Sequence, residues 1–398
     1  MKMYSTQPSK ASGSAWQSIG KMAGTVAVGA FAVVAGGATA APVVSGASGA
    51  FNHSATVTIS GSSFGSKGTA APVVWDDASG TNILDKWNGK WPDAGTASYQ
   101  TNYSTPIRGI NLPHSHITKY ITGAHGDSAG FNAGYNVVFW KNIPKPSALY
   151  MSWYQRADDA WVFGLGSPAD NNFKTMAYSV CCSPYELPNN WYTAYGPPNP
   201  SSRTSGAGWL FTDDGSSLMN PDLNGHNVWW DDAVNPMAGA WSKVEMEIKV
   251  SSGNDGFIRL RENGVLRINY VGPTDKYAGT SRTVGIGGYA RGYGNANNRR
   301  YFADAYVDTS FSRVVLANNA NLSSATIIEP QIPVSWNTSS IGVTVNLGKF
   351  SQGQTAYLFV VDPSGVASST GFPIAVGGTS SGGAPTAPTA PSSLRIEP

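Results

Sequence analysis

The sequence predicts an all-β protein in which a large two-sheet sandwich interrupts a smaller one. Three observations predict it. Apolar and polar residues alternate with period two over many short runs. Turn residues separate those runs. A small β-module stands in two halves near opposite ends of the chain, at 41–75 and 324–377, with 76–323 between them.

Composition supports this class and excludes others. Only 13% of the 398 residues are charged, while Gly numbers 46 and Trp 13. Low charge with many turn formers and aromatics suits strands and turns. An apolar content of 41% excludes a disordered chain. The net charge is +2 and no long run of Lys and Arg exists, so nucleic acid is not an expected partner.

Residues 1–40 read as an export segment. Lys2, Lys10 and Lys21 precede any acidic residue, the first of which is Asp76. An apolar Gly- and Ala-rich run at 22–36 follows, then Ala38-Thr39-Ala40, a small-x-small cleavage pattern. The run is too short for an ordinary membrane span. The expected location is extracellular or on the cell surface. The two cysteines, Cys181 and Cys182, are adjacent and cannot staple distant segments. Two ordinary thiols are the expectation, with a vicinal disulfide as the alternative.

In the first half-module, Val57, Thr58 and Ile59 lead to Gly61, and Phe64 and Gly65 follow as an apolar plug in a tight turn. These residues resemble the opening of IPT/TIG domains, which are immunoglobulin-like. The closing half of that family is similar to the strands around Pro333–Val345, Ala356–Val361 and Phe372–Val376. The alternative is two independent β-elements. After the module, 378–398 forms a Gly/Ser- and then Pro-rich tail. Its last residues could add to a neighbour's sheet edge.

Within the insert, Leu149, Met151 and Trp153 point one way, and Tyr150, Ser152, Tyr154 and Arg156 the other. Val244, Met246 and Ile248 form an apolar face opposite Lys243, Glu245, Glu247 and Lys249. Asn254-Asp255-Gly256 and Asn263-Gly264 supply hairpin turns. Together with Trp241, Glu262, Gly287-Gly288-Tyr289 and the 301–308 run, these residues resemble the concanavalin A-like jelly roll of lectins, glucanases and some polysaccharide lyases. The resemblance implies a carbohydrate-related role without fixing an activity.

The residues bear on three kinds of chemistry. Glu245 and Glu247 share a strand face, as a glycosidase pair would. Such a pair needs separations of roughly 5–5.5 or 6.5–9.5 Å. Flanking lysines make a solvated outer face the plainer expectation. A lyase would need a Tyr or His base and a cation. His114, His116, His125 and His226 are available, with Arg156, Arg291, Arg299 and Arg300. Sugar binding needs aromatic faces and polar groups, and the expected set is Tyr154, Arg156, His226, Asn227, Trp229, Trp230, Tyr289, Arg291 and Tyr293. No cofactor is required, but Asp76, Asp77 and Asp304 would suit a calcium ion if the first and last strands of the insert met.

The expected function is therefore a secreted or surface-displayed protein that binds polysaccharide through the jelly roll. A structural subunit of an extracellular or phage-like appendage, with a homo-oligomer or surface assembly as partner, is the alternative. A polysaccharide lyase or glycoside hydrolase is the second.

Overall fold

A computed structural model describes residues 40–90, 98–101, 110–125, 136–159, 172–195, 208–214, 218, 227–231, 239–289 and 298–380. The expected export segment before Ala40 and the tail beyond Ser380 lie outside the described residues. The structure is all-β and antiparallel throughout its sheets. Among the described residues no helix is long and apolar enough to cross a membrane.

The large sandwich is of jelly-roll type. One sheet runs Asn227–Asp231, Gly208–Asp214, Asn189–Tyr195, Asn172–Val180, Ser281–Tyr289, Asn136–Pro144 and Gly89–Lys90. The other runs Val265–Val271, Phe257–Glu262, Ser242–Lys249, Ala148–Ala157, Asn298–Asp308, Lys119–His125 and Ser98–Thr101, with Val74–Asp76 also pairing on Asn298–Asp308. Their inner faces share one core. Leu149, Met151, Trp153, Val244, Met246 and Ile248 come from the second sheet. Phe139, Met176, Tyr178, Tyr192, Val284 and Ile286 come from the first. Burying each such side chain stabilises by about 1.5–3 kcal/mol.

The small sandwich draws on both ends of the chain. Thr56–Ser62 pairs with Ser340–Thr344, bringing Val57 beside Val343 and Ile59 beside Ile341. Val43–Ala50, Ile332–Trp336 and Thr379–Ser380 complete that sheet. The facing sheet runs Ile328–Pro330, Arg313–Ala317, Thr355–Val361 and Phe372–Ala375. It begins at Arg313, ahead of position 324, where the sequence pattern places the second half-module. Arg313–Ala317 follows the jelly roll's last strand so closely that its Val and Leu residues read as a continuation of it. Phe64 is fully buried in the shared core. The glycine after it has φ +71°, and a Cβ there would meet Pro363 at 2.5 Å. That is why the plug residue is followed by Gly65.

The small sandwich packs on the outer face of the jelly roll's second sheet. The strand Ala148–Ala157 is consequently buried on both faces along its whole length. Lys243, Glu245 and Glu247 are also buried. This corrects the expectation of a solvated outer face. The period-two pattern identifies a polar face, but another sandwich covers it in place of water.

Candidate functional site

Alternation along Ser242–Lys249 turns Glu245 and Glu247 away from the core. Pairing with Phe257–Glu262 then sets Glu245 opposite Arg261 and Glu247 opposite Arg259. Arg313, at the start of the small sandwich's strand Arg313–Ala317, reaches down onto the same face. Its Nη2 donates to Glu247 Oε1 at 2.6 Å, and its guanidinium lies 4.1 Å from the ring centre of Tyr150. Between the sandwiches these groups line a cleft of about 300 Å³, with Val315, Asn321, Leu322, Ser323 and Ser368 on the far wall.

The two carboxylates have different environments. Burial pushes Glu245 above its ordinary value, against the opposing hydrogen bond from Tyr150 Oη at 2.9 Å and the charge of Arg313. Burial acts on Glu247 in the same direction, but Arg313 and Arg261 outweigh it and hold the group below its ordinary value. Arg261 sits 3.5 Å from Glu247. Arg259 is half-buried, stacks 4.2 Å over the Phe257 ring, and adds its charge to those that lower Glu247. The cleft thus offers two carboxyl groups whose environments push them in opposite directions, beside three guanidinium groups.

A second polar cluster lies at the same junction. Glu329 accepts from Tyr154 Oη, from Lys243 Nζ at 2.9 Å and from the Lys349 amide at 3.1 Å. His114 Nε2 meets Asp304 Oδ2 at 2.8 Å. Asp304 has φ +48°, a left-handed conformation rare for a residue with a Cβ.

The described residues among those expected to bind sugar fall on strands of both sheets. Tyr154 and Arg156 lie under the small sandwich and beside it, fully buried and nearly so, with Tyr154 bound to Glu329 and Arg156 to Asp159. They are unavailable to a polysaccharide, which corrects that expectation. For Tyr154 the reason is the docked second domain, which its own strand pattern cannot reveal. Asn227, Trp229 and Trp230 fall on the edge strand Asn227–Asp231 of the opposite sheet, where Trp229 pairs with Leu210. Tyr289 ends a central strand of that sheet, opposite Asn136. His226, Arg291 and Tyr293 lie outside the described residues.

Each member of the acidic set already has protein partners. Val74–Asp76 does pair with Asn298–Asp308, Asp76 opposite Ala305. Asp76 is fully buried and accepts from Trp87 Nε1, Tyr99 Oη, Lys86 Nζ and the Ala78 amide. Asp77 is engaged by Ser79 and Lys86, and Asp304 by His114. Among the described residues no group of three His, Cys, Asp or Glu side chains could hold a metal ion. Cys181 and Cys182 form a vicinal disulfide, in place of the two thiols expected.

Reading the sequence missed Arg259, Arg261 and Arg313 as site residues. The alternation Ile258, Arg259, Leu260, Arg261 placed two of them outward opposite the glutamates. Arg313 has no local signal, because it is 66 residues from Glu247.

No family model matches the sequence, and no curated protein does. Solved structures do. An endo-β-1,4-glucuronan lyase from the fungus Trichoderma reesei overlaps 58% of this chain and 94% of its own, at 15% identity and TM-score 0.42. An alginate lyase from Aplysia kurodai overlaps 60% and 99%, at 11% identity and TM-score 0.39. An exolytic alginate lyase from Zobellia galactanivorans overlaps 49% and 86%, at 9% identity and TM-score 0.32. Likeness of that degree says nothing about what this chain binds.

Proposed function

We propose that this protein recognises a carboxylate-bearing sugar unit of a glycan in the cleft between its two sandwiches. One observation carries the reading. Arg259, Arg261 and Arg313 bring three guanidinium groups to a cleft that holds two carboxyl groups, Glu245 and Glu247, so its charged lining carries an excess of cationic groups suited to an anionic sugar. Val315 and Leu322 supply an apolar patch for the sugar's CH face. The N-terminal pattern and the Cys181–Cys182 bridge support a place outside the cell, where disulfides persist. The pairing of Thr56–Ser62 with Ser340–Thr344 supports reading the small sandwich as one IPT/TIG-like, immunoglobulin-like module interrupted by the large one.

The test is calorimetric titration with uronate oligosaccharides and their carboxyl-reduced counterparts. The acidic series should bind at least about tenfold more tightly, and Arg259→Gln should remove that preference, since a hydrogen bond to a charged group contributes about 1.5–3 kcal/mol. Equal binding by the Arg259→Gln and Arg261→Gln variants would refute the site.

The opposed environments of Glu245 and Glu247 favour a second reading, cleavage of the bound glycan. Glu245 would protonate the leaving oxygen and Glu247 would act as base toward water. New reducing ends, abolished by Glu245→Gln with binding retained, would establish it.

A further inference from the structure

Three imidazoles meet where the two sandwiches join. His53 lies in the turn between Val43–Ala50 and Thr56–Ser62 of the small sandwich. His114 and His116 lie in the segment leading to the jelly-roll strand Lys119–His125. The His53 and His116 rings stack with centroids 4.8 Å apart, and His116 and His114 are 5.9 Å apart. His116 Nε2 meets the Phe350 carbonyl at 3.0 Å, so it must donate and carry the ring's proton. His53 Nδ1 accepts from the Leu347 amide at 3.4 Å, so that nitrogen must keep its lone pair. Leu347 and Phe350 both belong to the small sandwich. His116 therefore ties the jelly roll to it directly, and His53 does so through the ring stack.

We propose that this junction is a pH-sensitive latch between the two sandwiches, closed while His53 is neutral and loosened when it gains a proton. Two consequences of protonation work together. A second proton on His53 must go to Nδ1, where it would face the Leu347 N–H and break that hydrogen bond. That proton would also set a positive charge on a half-buried ring stacked 4.8 Å from the His116 ring, where partial burial weakens solvent screening.

The other charged groups around the latch set its balance. Burial acts most strongly on His53 and holds it below its ordinary value of 6.5, with His116 and His114 acting the same way. Asp304 and Asp77 oppose them. Asp304 is already engaged by His114. Lys349, next to Phe350 in the chain, faces Glu329 and Tyr154. The pair Arg313–Glu247 keeps its charges through the range in which histidine titrates, because Glu247 is held below its ordinary value. Acid therefore acts at the histidine end of the junction and leaves the arginine end tied. For a group whose folded value is lowered, the stabilisation is complete above pH 6.5 and declines as pH falls toward the folded value.

The test is amide hydrogen exchange, expressed as protection relative to the intrinsic rate at each pH between 7.5 and 5. In the wild-type chain, protection at 110–118 and 345–350 should fall by up to about tenfold per pH unit for each proton taken up, while Leu149–Trp153 stays protected. The His53→Gln/His116→Gln double variant should show no such step. Constant protection in the wild type, or an equal fall in the variant, would overturn the latch. Should the double variant not fold, histidine side-chain NMR titration of the wild type decides. His53 protonation should shift the Leu347 amide, and titration of His53 and His116 that leaves this amide unmoved would overturn the proposal equally.

Discussion

Arg313 and Glu247, from different sandwiches, meet at 2.6 Å with both side chains largely buried. Each would be a costly isolated charge in that position. Their pairing makes the polar outer face of the jelly roll's second sheet compatible with a second domain sitting on it. Removing one partner should destabilise the fold by about 1.5–3 kcal/mol, the worth of a hydrogen bond to a charged group, since Glu247 keeps Arg261 at 3.5 Å. Arg313→Met should therefore lower the urea midpoint markedly. Adding Glu247→Leu to it should restore much of the loss. A double variant as unstable as the single one would show that packing, and not charge, dominates there.

Glu245 and Glu247 should respond oppositely to neutralisation. Glu247 is held below its ordinary value, so its ionised form stabilises the fold above about pH 4.5 and that contribution is lost as acid titrates it. Glu245 is raised, so its contribution is full at low pH and is lost as pH rises through its folded value. At pH 7, Glu247→Gln should destabilise by about 3 kcal/mol. Glu245→Gln, which can still accept from Tyr150, should leave stability unchanged or raise it. Denaturant titration of the two variants at pH 7 checks the pair, and equal losses would contradict the assignment.

Phe64→Ala should cost about 3–5 kcal/mol, since the ring is fully buried. Because Thr56–Ser62 and Ser340–Thr344 share one sheet, amide protection should drop in both segments together, although they are far apart in the chain. Loss confined to the N-terminal segment would contradict a shared sheet.

Asp76 should behave as a hydrogen-bond hub, not as a cation ligand. Asp76→Ala leaves the Trp87 and Tyr99 donors without their acceptor and should lower stability by at least about 2 kcal/mol. Calcium or a chelator should leave the wild-type melting temperature unchanged. A calcium-dependent rise would restore a cation to this corner.

Much of the architecture is legible in the chain itself. Period-two alternation identifies the core faces around Leu149–Trp153 and Val244–Ile248, because a strand turns successive side chains to opposite sides whatever surrounds it. Asn263 and Gly264, both at positive φ, make the hairpin their residue types announce. The Gly61–Gly65 turn marks the first half of the split module because only glycine tolerates that approach to Pro363. Only the tertiary structure decides what the outward faces meet. Lys243, Glu245 and Glu247 have the same alternation whether water or protein lies above them. Their partners, Glu329 and Arg313, stand 86 and 66 residues away with no local pattern to link them. Burial of charge is a property of two surfaces brought together, so docking of the small sandwich closed over Tyr154 and Lys243 and left the arginine-lined cleft beside them.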